Sequence, residues 1–280
     1  MRAPLRFTPS IAILSLLTAT PHPPRDGPHA SGVPIGIPSG PRVLRPGSPE
    51  LIVDHLVDDS RVMRVLTGGP FRDARECETA RLTRTERNVA GTPGLLSISL
   101  RYAPPVEIED SLVVLTAGLV PRDERFRSGR TTMEFRFDGE HVRGVITDGA
   151  TTRAYDRRFR EPVFPLNALG TIVRSLPFAE GYEAVIPLFS AQDTGVLYDT
   201  LSVVGAVEYG SAGSSARAWH VRAAGPTFVT HYVVDSASRR IVAQELVVRA
   251  SDTRVRLTPA SVGAEAPSES GNSLSPGDRC

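Results

Sequence analysis

Residues 131–149 read TTMEFRFDGEHVRGVITDG. Met133, Phe135 and Phe137 alternate with polar residues, which is the period of a strand with one buried face. The two Asp-Gly pairs in this stretch are the residues that tight hairpin turns prefer. With a further strand over 151–157, the stretch predicts an antiparallel meander of three strands.

The same alternation continues on both sides of this meander, and it predicts a mainly β protein. Downstream, the predicted strands are 182–189, 197–209, 217–223, 227–235, 239–249 and 254–257. Upstream, they are 51–57, 61–66, 80–87, 95–102 and 111–115.

One segment, 167–176, has the period of a helix instead. Its apolar residues recur at spacings of three and four and would form one helical face. The residues of this face are Leu169, Ile172, Val173 and Leu176. Asn167 is a residue type that caps helix starts, and Pro177 would end the helix. We therefore predict one short helix covering an open β face.

Composition excludes several functions. The chain of 280 residues has a formal net charge of +1, so its charge gives no reason to expect nucleic acid as a partner. All 32 of its basic side chains are arginine. Because lysine is absent, Schiff-base chemistry and the lysine-containing phosphate loop are excluded.

The two ends of the chain differ in composition from its middle. Arg2 and Arg6 precede an apolar run that is too short to span a bilayer, which is typical of a secretory signal. We therefore expect export to the periplasm or the medium of a bacterium, with a membrane-tethered signal anchor as the alternative. The predicted divisions are a signal peptide over 1–20, a flexible Pro/Gly-rich linker over 21–47, a single β-rich domain over 48–258, and a disordered tail over 259–280.

No catalytic motif, cofactor-binding pattern or metal-ligand spacing is present in the sequence. His55 has acidic neighbours, but these residues are typical of an exposed turn. His220 and His231 lie on neighbouring predicted strands and could face each other or point to opposite faces of the sheet. The two cysteines, Cys77 and Cys280, could pair or remain free thiols. We predict neither a cofactor nor a metal.

Residues 131–257 resemble an uncharacterised family of bacterial periplasmic β-proteins, a domain of unknown function near the lipoprotein-localisation (LolA/LolB-like) superfamily. The resemblance is carried by the hairpin FRFDGEHVRG at 135–144, by NALGTIVRSLP at 167–177, by EGYEA at 180–184 leading to Pro187, by AWHV at 218–221, and by YVVDSASRRIV at 232–242.

The resemblance implies a strongly curved antiparallel sheet, an incomplete or half β-barrel, with the helix packed on its concave face. It also implies a non-enzymatic protein that binds a lipid, a lipoprotein acyl chain or a similar lipophile in that half-barrel. The residues predicted to line the cavity are Leu169, Ile172, Val173, Leu176, Phe135, Phe137 and Trp219.

Two alternatives remain at the level of sequence. The protein could be a structural or protein-interaction module of the cell envelope, with its interior filled by its own side chains. It could also be a hydrolase with a scattered site, in which His220 or His231 would lie beside a carboxylate in a cleft.

Overall fold

The computed structural model describes residues 42–56, 58–68, 77–103, 107–211 and 214–259. These residues form one sheet of fifteen strands and one short α-helix. The first eight strands are β1 (Asp59–Gly68), β2 (Cys77–Asn88), β3 (Leu95–Tyr102), β4 (Ile108–Leu115), β5 (Val120–Ser128), β6 (Thr131–Asp138), β7 (His141–Asp148) and β8 (Thr151–Arg158). The others are β9 (Phe164–Pro165), β10 (Glu183–Ser190), β11 (Gly195–Ser211), β12 (Ser214–Ala224), β13 (Phe228–Asp235), β14 (Ile241–Val248) and β15 (Arg254–Pro259).

Consecutive strands are neighbours in the sheet except β8 and β9, which lie at its two ends, and one further pairing joins strands far apart in sequence. The order is β8-β7-β6-β5-β4-β3-β2-β1-β15-β14-β13-β12-β11-β10-β9. Strand β1 pairs with β15 in antiparallel fashion, so the two ends of the domain meet in the middle of the sheet. All described strand pairs are antiparallel except that of the short β9 with β10.

The helix α1 (Leu169–Arg174) lies on the concave face of this sheet and packs into the main core. Its residues Ile172 and Val173, and Leu176 just beyond its end, are fully buried. A mainly β fold with a single open, curved sheet and one short helix confirms the predicted fold class.

Side chains rather than a hydrogen-bond ladder connect the two ends of the sheet. Phe189 of β10 packs edge-on against Phe135 and Phe137 of β6, at ring-centroid distances of 5.1 and 5.7 Å. The Tyr155 hydroxyl of β8 donates a hydrogen bond to the Thr194 carbonyl oxygen at 3.0 Å. Aromatic packing of this kind holds the curvature without closing a barrel.

The helix starts differently from the prediction. Residues Leu166–Ala168 form a 3₁₀ turn, and the α-helix follows over Leu169–Arg174. The predicted capping role of Asn167 is wrong, because Ala168 precedes the helix and no side chain caps it. The Asn167 amide instead donates to the Asp110 carboxylate at 2.8 Å. A tertiary partner therefore replaces the local capping bond.

Three strand predictions also require correction. Residues 51–56 contain no strand but a turn, and Leu51 and Leu56 point into the core from that irregular segment. Strand β5 was missed, as was the start of β4. In β5, charged residues at 122–125 hide the alternation, although Glu124 lies on the buried face.

The packed domain begins before residue 48, within the segment predicted as linker. Leu44 is buried, and its amide donates to the Val185 carbonyl oxygen at 2.9 Å. These contacts place 42–47 against β10. The predicted signal peptide, the rest of the linker, and the tail beyond 259 lie outside the described residues. The described helices are all too short to cross a lipid bilayer.

Candidate functional site: an interior cavity with two carboxyl groups

A cavity of about 290 Å³ lies inside the curved sheet. Its walls come from β1 to β5 on one side and from β13 to β15 on the other, with α1 and its preceding turn as a third wall. Most of the lining is apolar, and representative lining residues are Met63, Leu82, Leu100, Phe126, Leu246 and Leu257. Strand alternation brings these residues to one face, because every second side chain of each strand points inward.

The strand register also brings a band of charged side chains to this face. Arg84 and Glu86 follow Leu82 at alternate positions of β2, so all three side chains point inward. On β4, Asp110 lies between the inward residues Ile108 and Leu112. Each charge therefore interrupts an otherwise apolar stripe.

One part of the band is a buried ion network that attaches the helix to β2. Glu86, 1% exposed, accepts hydrogen bonds from Arg84 Nη2 at 2.8 Å and from Thr171 Oγ1 at 2.9 Å. Arg174 also donates to Glu86, and its Nε donates to the Arg239 carbonyl oxygen. Burial by itself would raise the pKa of Glu86, but the two arginines and these hydrogen bonds outweigh it and lower the pKa to about 2.

The other part of the band contains two carboxyl groups that have no cationic partner among the described residues. Asp110 of β4 and Glu124 of β5 are diagonal neighbours, since Asp110 is opposite Phe126 and Glu124 is opposite Leu112. Glu124 is 3% exposed, and its Oε2 has no hydrogen-bond partner among the described residues. Asp110 accepts the bond from Asn167, whose own Oδ1 is buried and unpartnered in the described chain.

Burial perturbs both of these carboxyl groups. It raises the pKa of Asp110 to about 7, against a smaller opposing effect of the Asn167 hydrogen bond. Burial and, secondarily, the charge of Asp110 raise the pKa of Glu124 well above its ordinary value. Burial therefore favours the neutral, protonated form of both carboxyl groups.

The residues predicted to bind the ligand are distributed over several regions. Leu169 lines the cavity. Ile172, Val173 and Leu176 lie in the packed core behind it. Phe135 and Phe137 belong to the aromatic cluster that joins the sheet ends, and Trp219 stacks on Phe178 at 5.9 Å. The fold does not bring these seven residues together, and whether they contact a ligand stays a prediction.

The histidine pair does form, but on the outer face. Val221 and Tyr232 are opposite each other and buried, so His220 and His231, one position away on each strand, point outward. Their rings meet, with His220 Nε2 and His231 Nδ1 3.0 Å apart. Burial is the main cause of the lowered pKa of each ring. The pair is thus remote from the cavity.

His55 is not part of a metal cluster; within the described ranges no group of histidine, cysteine and carboxylate residues could hold a metal ion. Burial, and then the charges of Arg239 and Arg174, lower the pKa of His55 to about 4. The ring is therefore neutral at physiological pH. The side chains of Cys77 and Cys280 lie outside what the structure describes.

The sequence contained a signal for the site residues that the prediction did not use. Arg84 and Glu86 occupy inward positions of a strand that was predicted, and Asp110 continues the alternation of Leu112 and Val114. A charged residue within an apolar stripe marks either a structural ion pair or a binding group.

Comparison with known proteins places the chain in a family. A family model described as "Protein of unknown function (DUF3108)" matches residues 82–257. The chain belongs to the DUF3108 family. The DUF3108 segment runs from β2 to β15, so it contains the ion network and both carboxyl groups.

The fold has a counterpart among solved structures. The crystal structure of a beta-barrel-like protein of domain of unknown function DUF1849 from Brucella abortus is similar, with a TM-score of 0.52 and 12% sequence identity. The similarity covers 73% of this chain and 96% of that chain. At this identity it shows the fold alone. No curated protein matches the DUF3108 chain.

Proposed function

We propose that this protein is a non-enzymatic binding protein that holds a lipophilic or acyl-bearing ligand in the cavity of its half-barrel. The observation that carries the proposal is the cavity itself, about 290 Å³ in volume and largely apolar in its lining. Small-molecule pockets span roughly 300–1,000 Å³ and have mainly hydrophobic walls with a few polar groups. The volume of this cavity is just below that range.

The lining of the cavity supports an apolar ligand. Leu82 and Leu100 on one wall and Leu246 and Val255 on another all border the same space. Leu100, Leu246 and Val255 are only half-buried, so apolar surface remains accessible to a ligand. Covering this surface would be favourable by about 25 cal/mol per Å².

The proposal includes export to the bacterial periplasm or the medium. Its support is the N-terminal sequence, in which Arg2 and Arg6 precede a short apolar run. The resemblance to the lipoprotein-localisation superfamily favours the same compartment and the same class of ligand. This resemblance is an argument from fold, and it needs a binding measurement.

The test is uptake of a fluorescent acyl probe and of extracted lipid, monitored by fluorescence and by native mass spectrometry. Leu100→Trp would fill the cavity, and we expect it to weaken probe binding at least tenfold. The matched control is Arg101→Trp, which adds the same ring at the next position, where the side chain is exposed. Equal binding by both variants would contradict the proposal.

The alternative is a protein-interaction module of the cell envelope, and one observation favours it. Strand β8 is at the end of the sheet, and nearly all of its side chains are exposed. Such an edge can accept a strand from a partner. A bare polypeptide mass, with no uptake of the acyl probe by the unmodified protein, would favour this alternative.

A further inference from the structure

The charged and polar side chains that line the cavity favour one kind of ligand head group over others. Three arginines line it, and each is already paired with a carboxylate: Arg61 with Asp59 at 2.5 Å, and Arg84 and Arg174 with Glu86. Each arginine of the wall therefore has a carboxylate partner already, with Glu86 shared between two of them.

Three buried side-chain atoms of residues that line the cavity have no hydrogen bond of normal geometry within the described chain. One of them, Arg61 Nη2, is in the ion pair with Asp59, and the other two are acceptors. Glu124 Oε2 and Asn167 Oδ1 are buried acceptors without a partner in the described chain, and both residues line the cavity. Asp110 lies between them, bonded to Asn167 and adjacent to Glu124 in the sheet. No described arginine forms an ion pair with Asp110 or Glu124. A ligand that supplies N–H donors and a positive charge would satisfy all three residues.

We infer that the ligand is a cationic amphiphile, whose protonated amine is held by Asp110, Glu124 and Asn167 while its hydrocarbon portion occupies the apolar part of the cavity. This inference rests on the proposed function and specifies its ligand class. A primary ammonium group has three N–H donors and no acceptor, which matches three acceptors. Folding has already removed these acceptors from water. Part of the free-energy cost of desolvating an ion pair therefore arises during folding and does not oppose ligand binding.

Binding of a cation would be linked to proton release. Burial raises the pKa of Asp110 to about 7 and raises the pKa of Glu124 well above its ordinary value, whereas an adjacent ammonium favours both carboxylates. Affinity should therefore increase as pH rises through about 7, and protons should leave on binding. The other ionisable groups around this pair are Asp59, Arg61, Arg84, Glu86, Tyr102, Arg174 and Tyr232.

The experiment is calorimetric titration of the full-length protein with dodecylamine, dodecanol and dodecanoic acid, which share a chain length and differ in head group. We expect dodecylamine to bind at least tenfold more tightly than dodecanol, and dodecanoic acid to bind most weakly. In two buffers of different ionisation enthalpy at pH 7, dodecylamine should release protons and dodecanol should not.

The variants Asp110→Asn and Glu124→Gln remove the charge with little change in shape. Each should weaken dodecylamine binding at least tenfold and leave dodecanol binding unchanged, with circular dichroism confirming the fold. The matched control is Asp123→Asn, next to Glu124 in sequence but exposed on the outer face in a pair with Arg136. It should bind dodecylamine like the unmodified protein.

The outcomes separate this inference from the proposed function. Equal affinities for the amine and the alcohol, or tighter binding of the acid, would overturn the head-group assignment and leave the lipophile cavity in place. Binding of none of the three would remove the proposed function as well. Proton release on dodecylamine binding that is lost in Asp110→Asn and Glu124→Gln would support both the head-group assignment and the proposed function.

Discussion

Asp199 of β11 should make the protein less stable as pH rises. The residue is 1% exposed, and neither carboxylate oxygen has a hydrogen-bond partner among the described residues. Burial raises its pKa from 3.8 to about 6. Because the folded state holds this proton more tightly than the unfolded state, stability is lost as pH rises from about 4 through about 6.

The magnitude follows from this shift. A rise of about two pKa units corresponds to about 3 kcal/mol, at roughly 1.4 kcal/mol per unit. This free energy is present below the pKa of the unfolded state and absent above the pKa of the folded state. Asp199→Asn replaces the carboxyl group with a neutral group of the same shape, so it should remove this part of the pH dependence.

Urea denaturation at pH 4 and pH 8 measures the effect. The free energy of unfolding of Asp199→Asn, relative to that of the unmodified protein, should increase by about 2.5 kcal/mol between the two pH values, since a small part of the effect is already present at pH 4. The comparison at pH 4 serves as the internal control, because both side chains are neutral there in the folded state. Parallel pH profiles for the two proteins would refute the assignment of a desolvated carboxyl group.

Two further substitutions test the contacts that hold the fold. Glu86→Gln leaves Arg174 and Arg84 buried without a counter-charge and should destabilise the protein by about 3–5 kcal/mol in urea denaturation. Phe189→Ala removes the ring that joins β10 to β6 and should lower the free energy of unfolding by about 3–5 kcal/mol, measured in the same way.

Each of these substitutions has a matched control. Glu78→Gln, on the same strand as Glu86, breaks only half-exposed pairs with Arg64 and Arg81, and it should change stability by at most about 1 kcal/mol. Tyr198→Ala removes a ring that is 47% exposed and should have an effect of about 0.5–1 kcal/mol. If a control and its test variant lose equal stability, the burial of the substituted side chain is not the cause of the loss.

The sequence predicted much of the secondary structure because local patterns encode it. The alternation of Met133, Phe135 and Phe137 and the Asp-Gly turns correspond to β6 to β8, whose bounds nearly match the prediction. The helical spacing of residues 169–176 predicted α1. Strand β5 was missed because its run of charges conceals the alternation, and that strand carries Glu124.

The candidate site was the least predictable part. Asn167 was assigned to a helix cap from its position alone, yet its partner is Asp110, 57 residues away in sequence. The role of a buried polar side chain depends on which partner the fold brings to it, and a local pattern contains no such information.

The sequence alone determined a mainly β chain, its hairpins and its single helix, because periodicity and turn chemistry act over a few residues. Only the tertiary structure decided which face each charge occupies and which charges meet. The pairing of β1 with β15 brings distant strands into one sheet, and the curvature of that sheet surrounds a common cavity. The arginines that line the cavity pair with Asp59 and Glu86, whereas Asp110 and Glu124 have no cationic partner in the described part of the chain. Tertiary packing therefore decides which buried charges are paired and which are not.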